Sequence, residues 1–344
     1  MKRINNGDLE HVLNKTHDLW KDVRYKSIFI TGATGFFGKW LLETFLYINK
    51  KLSLNAKVVA LSRNPNKFLA DFPFYEEEKA ITFIQGDISN FNFPDGSFEY
   101  IVHAATDADT TLHIEESLLT LDSILAGTRR ILDFARKQPA LKSFMLTSSG
   151  AVYGTQPEAV THIAETDSFF IDINNPASSY AEGKRVSELY CSIYHKVYAM
   201  PVKIARCFAF VGPYLPINRH FAIGNFIGNA IKQEEIVIKG DGTPMRSYMY
   251  AADLAVWLWT ILLKGESNTP YNVGSDIDLS IEEAAHMVAS LNAETIQIKV
   301  LQPKNGGRLA RYVPCVNKAK NELSLSIDID LKEALRKTMS FYTI

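Results

Sequence analysis

From Ser27 onward, short runs rich in β-branched and aromatic residues alternate with longer stretches whose apolar positions return every three or four residues. The runs "SIFIT", "KVVALS", "ITFIQ", "YIVHAA", "FMLTSS" and "PVKIARC" read as strands, while "KWLLETFLYINK" and "LLTLDSILAGTRRILDFARK" between them read as helices. Strand and helix in repetition predict right-handed crossovers and a parallel sheet covered on both faces. Ahead of this pattern, Leu9, Val12, Leu13, Thr16 and Leu19 recur at helical spacing, which predicts an amphipathic helix over residues 7 to 21 added onto the main body. After Cys207 the texture changes to Pro, Gly, Asn and aromatic residues, from "FVGPYLPINRHF" to "GDGTPMRSYMY", with helices expected to start near Ile223, Ala252 and Ile281.

The first strand run leads into "TGATGFFG", where Gly32, Gly35 and Gly38 mark the corner between a strand and a helix. Residues without a Cβ permit a tight turn and let a diphosphate approach the free N–H groups at a helix start. The expected fold class is therefore α/β, a Rossmann-type doubly wound parallel sheet with a smaller α/β substrate-binding lobe near the C-terminus. The expected division is a helical extension over residues 1–24, a dinucleotide-binding domain over 25–206, and a lobe over 207–344, from which about 250–275 returns to the first domain. At the end of the second strand run an acid would bind the 2′-hydroxyl of NAD. "VVALSRN" instead offers Ser62 and Arg63, and a guanidinium suits a 2′-phosphate, so NADP(H) is expected over NAD(H).

In "SSYAEGKRVSELY", Tyr180 and Lys184 stand four apart, with Val186, Leu189 and Tyr190 completing a helical pattern. That spacing stacks phenol and ammonium on one face, where the cation favours the phenolate and lets the tyrosine exchange a proton with an alcohol oxygen. "FMLTSSGAVYG" ends an earlier strand run at the sheet edge where such folds place ligands, and presents Ser148 and Ser149 as hydroxyls that could orient a carbonyl.

With these motifs the chain resembles the extended short-chain dehydrogenase/reductases that modify nucleotide-activated sugars, over nearly all of Ser27 to about Leu325. The matching residues are TGxxGFxG at Thr31 to Gly38, Asp87 after the third strand run, "HAA" at His103 to Ala105, Ser149 four before Tyr153, and Tyr180 with Lys184. The resemblance implies Ser149, Tyr180 and Lys184 as the catalytic trio. It implies cofactor contacts from Gly32, Thr34, Gly35, Phe36, Phe37 and Gly38, from Asp87 and Ile88 at the adenine, from Ala104, Ala105 and Thr106, and from Tyr180 and Lys184 at the nicotinamide ribose. It further implies a nucleotide-diphosphate sugar held by Ser149, Asn225, Arg246 and Arg308, with Arg311 in reserve, because arginine forks bind phosphate oxygens in pairs.

Relatives that dehydrate or decarboxylate the sugar usually carry an acid just after the catalytic Ser or Thr, whereas this chain has Gly150 and Ala151. Dehydration and decarboxylation are therefore disfavoured, and Arg63 tips the expectation towards NADPH-dependent reduction of a 4-keto sugar nucleotide, with NAD-dependent 4-epimerisation as the alternative. A non-catalytic NADP-binding regulator would need no intact trio. Ala209 also stands where relatives typically carry asparagine.

Composition removes other classes. The 344 residues hold 37 basic and 38 acidic side chains, so no global field favours nucleic acid or an anionic membrane. Cys191, Cys207 and Cys315 have neither CxxC spacing nor an even count, which argues against a disulfide framework or zinc site and for a reducing cytoplasm. His103, His113, His162, His195 and His220 show no ligand spacing, and no metal is expected. "LAVWLWTILL" is too short to span a bilayer. Two amphipathic helices, around Leu118 to Arg136 and Tyr180 to Val197, resemble the pair through which such enzymes form homodimers.

Overall fold

The computed structural model describes residues 2–105, 114–218, 221–292, 294–304 and 309–343. Thr106, His113, His220 and Arg308 lie outside them. Seven strands form the central sheet: β1 (Ser27–Thr31), β2 (Lys57–Ser62), β3 (Ile81–Gln85), β4 (Tyr100–His103), β5 (Ser143–Ser149), β6 (Val202–Cys207) and β11 (Pro270–Val273). Their order is β11-β6-β5-β4-β1-β2-β3, every pairing parallel. This is the doubly wound order of dinucleotide-binding folds extended by one strand, and its direction reverses between β1 and β4, where a crevice opens at the strands' C-terminal ends.

Alternation along β1 divides the core. Ile28 and Ile30 join the larger cluster, with Trp20, Trp40, Trp257 and Trp259, beneath α2 (Phe36–Lys51) and α7 (Ala251–Lys264). Phe29 points the other way and meets Phe134, Phe98 and Phe91 at ring-centre distances of 4.9, 5.4 and 5.8 Å. That second cluster lies under α4 (Ile114–Ala135) and α5 (Ser179–Tyr198), and Phe29→Ala would cost about 3–5 kcal/mol of stability.

The N-terminal segment is more than an addition to the body. In α1 (Asn6–Thr16), Leu9, Val12 and Leu13 are buried against α2 and α7, whose apolar residues they cover. Asp8 is 1% exposed, and its carboxylate accepts from Tyr250 Oη at 2.7 Å and Lys337 Nζ at 2.6 Å, so the buried charge is paired. His11 Nε2 lies 3.0 Å from Asp253 Oδ1, while the other Asp253 oxygen accepts from the backbone of Asp328 and Ile329.

Short strands build three small sheets: β7 (Phe210–Val211) with β10 (Met249–Tyr250); β8 (Ile236–Ile238) with β13 (Ile298–Val300); and β9 (Met245–Ser247) between β12 (Asp278–Ser280) and β14 (Arg311–Tyr312). Helices α6 (Ala222–Ile231) and α8 (Ile281–Ala289) pack on β8, α9 (Asn317–Leu323) on β11, α10 (Leu331–Tyr342) on α6 and β10, and α3 (Pro65–Asp71) beside β3. No helix among the described residues is long and apolar enough to cross a membrane.

On α5 the apolar positions are turned outward. Gly183, Lys184, Ser187, Cys191 and Tyr194 are buried, whereas Leu189, Ile193 and Val197 are exposed, as are Leu118 and Leu119 on the neighbouring α4. The first two turns of the inward face are small or polar, and α4 packs close there: a Cβ on Gly183 would sit 3.2 Å from the Ile124 side chain.

Candidate active site

The glycine corner has the shape a dinucleotide requires. Gly32 has φ +71°, and a Cβ there would lie 2.4 Å from the Ala104 carbonyl, so the turn after β1 is pressed against the end of β4. A Cβ on Gly38 would sit 2.3 Å from Gly32 O. Gly35 opens α2 without any side-chain cap, which leaves the first helical N–H groups for an anion. Thr34 lies inside this turn, Phe36 and Phe37 begin the helix, and Phe37 packs edge-on against Phe210 at 5.1 Å.

The crevice floor is tied together by Thr31, whose carbonyl accepts from Ala104 N at 3.2 Å and whose hydroxyl accepts from Ala105 N at 3.3 Å. The same hydroxyl lies 2.8 Å from Nδ1 of His103, which burial and the nearby Lys184 push down to about 3, keeping it neutral. Asp87 accepts from the hydroxyl and backbone of Ser89 at 2.6 and 2.9 Å, which holds it below the usual carboxylate range. Ile88 packs on Gly127 of α4. At the end of β2, Ser62 is buried and accepts from Asn64 N, while Arg63 is exposed.

The three groups expected to carry chemistry converge at the other side of the crevice. Ser149 ends β5, and its Oγ accepts from Ala151 N at 3.1 Å, capping the short turn Gly150–Tyr153. Tyr180 stands in the first turn of α5, near enough to Ser149 for that hydroxyl to favour its phenolate. Lys184, one turn on and 2% exposed, donates to Thr147 O at 2.9 Å with its ammonium 5.9 Å from the Tyr180 ring centre. Burial pushes Lys184 down to about 8. Burial also raises Tyr180 against the lowering effect of the Ser149 hydroxyl, so without ligands Tyr180 is a phenol, and the phenolate that Lys184 was expected to favour is not its resting form.

Ser148 does not join them. Its neighbouring position on β5 turns it to the opposite face, where its hydroxyl donates to Glu188 at 2.5 Å. Glu188 in turn is gripped by Arg206 at 2.7 Å, and the Arg206 guanidinium lies 4.7 Å from the Tyr153 ring centre. This partly buried ion pair braces α5 against β5 and β6 from behind the site.

The small sheet β12-β9-β14 faces the trio. Arg246 on β9 donates to Met245 O at 2.8 Å and, with Gln156, Arg311 and Tyr312, lines a cavity of about 310 Å³. Arg311 is tied to Asp278 at 2.5 Å, so the reserve arginine is committed to an ion pair within this sheet. Asn225 sits partly buried in the first turn of α6. A group absent from the sequence expectations appears here: Tyr312, its ring 4.7 Å from Phe208 and its hydroxyl beside Gly150. A Cβ on Gly150 would lie 2.6 Å from its hydroxyl. The "ARY" that carries it was read for its arginines, and a two-residue strand leaves no periodicity to mark the tyrosine.

The family model described as the NAD dependent epimerase/dehydratase family matches residues 28–274. UDP-glucuronic acid decarboxylase 6 of Arabidopsis thaliana is 27% identical over 90% of this chain and 86% of its own. Among solved structures, an epimerase from Methanothermobacter thermautotrophicus superposes with a TM-score of 0.78 at 21% identity, covering 96% of each chain. UDP-glucuronic acid 4-epimerase from Bacillus cereus, in complex with NAD, gives a TM-score of 0.75 at 21% identity, covering 92% of this chain and 96% of that one.

These findings correct the expected preference for NADP(H): the family is NAD-dependent, and a structure sharing the fold holds NAD. The physical reason lies at β2. The Ser89 hydrogen bonds hold Asp87 ionised, and Arg63 adds a smaller favourable charge from within electrostatic reach, so a carboxylate as well as a guanidinium stands at this end of the sheet and Arg63 alone does not mark a 2′-phosphate site.

Proposed function

The chain belongs to the NAD dependent epimerase/dehydratase family, and from that premise we propose that it inverts the C4 hydroxyl of a UDP-sugar with NAD as its bound cofactor. The observation that carries this reading is the pairing of a Ser149, Tyr180 and Lys184 relay with two side chains, Gly150 and Ala151, that can neither give nor take a proton. Phe208 and Tyr312 fill the space above Gly150, leaving no room there for a second acid. With NADP(H) gone from the argument, the case for a keto-sugar reductase that rested on Arg63 goes with it.

In this reading the glycine corner holds the diphosphate of NAD on the N–H groups of α2, with Asp87 and Ile88 at the adenine and Ala104 and Ala105 along the crevice floor. Bound there, NAD⁺ supplies reversible acceptance of the hydrogen of C4 with its electron pair. Tyr180 takes the C4 hydroxyl proton as the ketone forms and gives it back when the alcohol is restored on the other face. Ser149 orients that oxygen. Because the same proton leaves and returns, the cycle consumes none and needs no further acid. Lys184 sets a positive charge beside the ring when the phenolate must form. Arg246 and Asn225, with Arg308, hold the nucleotide diphosphate.

One observation favours a second outcome on the same scaffold: the 27% identity with a UDP-glucuronic acid decarboxylase over 90% of the chain. A uronic acid oxidised at C4 is a β-keto acid and can lose CO₂, but the carbanion left behind needs a proton, and Gly150 and Ala151 cannot supply it. Product analysis from UDP-hexose and UDP-hexuronate separates the two readings: a C4 epimer supports inversion, whereas CO₂ and a UDP-pentose contradict it.

A further inference from the structure

We propose that His103 is a positioning residue that couples the cofactor turn to the catalytic helix: as its Nε2–H tautomer it carries a one-way chain of buried hydrogen bonds from Thr31, beside the glycine corner, through Thr128 on α4 to Ser187 on α5. Thr31, His103, Thr128 and Ser187 are each at most 3% exposed. Their contacts run from Thr31 Oγ1 to His103 Nδ1 at 2.8 Å, from His103 Nε2 to Thr128 Oγ1 at 3.3 Å, and from Thr128 Oγ1 to Ser187 Oγ at 2.9 Å. Ser187 Oγ donates to the Gly183 carbonyl at 2.9 Å. Ser187 follows Lys184 on α5 by three residues and, like it, faces inward.

Counting hydrogens fixes the direction of this chain. A hydroxyl has one hydrogen, and Ser187 gives its own to the Gly183 carbonyl, which can only accept. The hydrogen between Thr128 and Ser187 therefore comes from Thr128. With that hydrogen spent, His103 Nε2 is the donor to Thr128. Burial and the facing Lys184 ammonium keep the ring neutral, so Nε2 holds its one N–H and Nδ1 accepts from Thr31. The Thr31 oxygen still has a lone pair for Ala105 N, which donates to it at 3.3 Å. Reversing a single link would set two hydrogens against each other or leave two acceptors with none.

The backbone of His103 makes a second tie between the same places. Its carbonyl accepts from Thr147 Oγ1 at 3.2 Å, and the Thr147 carbonyl holds Lys184 Nζ at 2.9 Å. The next two residues are the seat of the glycine turn, since a Cβ on Gly32 would lie 2.4 Å from the Ala104 carbonyl and 2.6 Å from Ala105 N. His103 is thus linked on one side to the turn expected to hold the diphosphate, and on the other to Lys184 and Ser187. Apolar side chains of the same size would join these layers without taking four polar groups out of water. What the polar ones add is a direction, which a change at the far end of the chain can reverse.

This rests on the reading above only in taking the glycine corner as the NAD site and α5 as the catalytic helix, and no sugar need be turned over to test it. In nitrogen-15-histidine-labelled protein loaded with NAD⁺, the His103 ring, assigned by its loss in His103→Asn, should show Nε2 protonated and Nδ1 bare. Ser187→Ala removes a hydroxyl two links away from the ring. The Thr128 hydrogen is then released to turn towards Nε2, so the ring should pass to the Nδ1–H tautomer. Thr128→Val, which takes the acceptor from Nε2, should favour the same tautomer, and the conservative Thr128→Ser should restore the parental one. The NAD dissociation constant, read by calorimetry, should rise about 3- to 10-fold in Ser187→Ala, the worth of one hydrogen bond. An Nδ1–H ring in the parent, or a Ser187→Ala ring indistinguishable from the parental one, overturns the chain. A parental NAD affinity in Ser187→Ala overturns the coupling. Failure to turn over any UDP-sugar would remove the epimerase reading and leave both of these results standing.

Discussion

Lys184 places its ammonium 5.9 Å from the ring centre of Tyr180 while donating to the carbonyl of Thr147 at 2.9 Å, which fixes a buried cation beside the phenol from which the chemistry is proposed to start. The helix supplies the four-residue spacing, and β5 supplies the anchor.

Tyr180→Phe should fold and bind NAD as the parent does, yet lose about 10²- to 10⁴-fold in kcat, since proton transfer by a positioned group is worth that much. Lys184→Met should lose turnover as well. Steady-state kinetics beside a fluorescence titration of NAD(H) checks both, and a Tyr180→Phe protein with parental kcat contradicts the relay.

Gly32→Ala should abolish NAD binding, because its Cβ would lie 2.4 Å from the Ala104 carbonyl and the residue would have to keep φ +71°. Calorimetric titration reads the loss, and circular dichroism shows whether the sheet persists. Micromolar NAD binding by this variant would remove the glycine corner as the cofactor site.

His103 should make stability fall on acidification. Its folded-state pKa of about 3 lies below the ordinary 6.5, so between these values the unfolded chain binds a proton that the folded one does not. The contribution is fully present above pH 6.5 and is lost as pH falls towards 3, with a slope approaching about 1.4 kcal/mol per pH unit. Denaturant unfolding of parent and His103→Asn across this window should show a flatter acid limb in the variant, and parallel limbs would contradict the assignment.

A homodimer through α4 and α5 should cover Leu118, Leu119, Leu189, Ile193 and Val197, of which Leu119 is 69% and Val197 63% exposed in the single chain. Light scattering should give a dimer mass for the parent and a monomer for Leu189→Glu. A monomeric parent at micromolar concentration would end that expectation.

Much of the sheet was legible because its strands are nearly continuous apolar runs, buried on both faces, such as "SIFIT" and "SFMLTSS". The outward turn of Leu189 on α5 was not, since the first half of the inward face is made of Gly183, Lys184 and Ser187, which carry no apolar signal. Ser148 looked equivalent to Ser149 in the sequence, and only strand alternation, with Glu188 and Arg206 behind it, tells the two apart. Arg63 was read by residue type alone, whereas the fold also brings the Asp87 carboxylate, from beyond the end of another strand, within its electrostatic reach. Tyr312 lies on a two-residue strand whose place beside Ser149 is created entirely by long-range packing.

The most direct test of the account is to incubate the NAD⁺-loaded protein with UDP-glucose and with UDP-glucuronic acid in D₂O and to follow the nucleotide sugars by NMR. The account predicts that the C4 epimer of one of them appears with protium retained at C4 and no net NADH, because the carbon-bound hydrogen returns to the sugar that gave it. Release of CO₂ with a UDP-pentose, deuterium at C4, or no conversion of either sugar would contradict it.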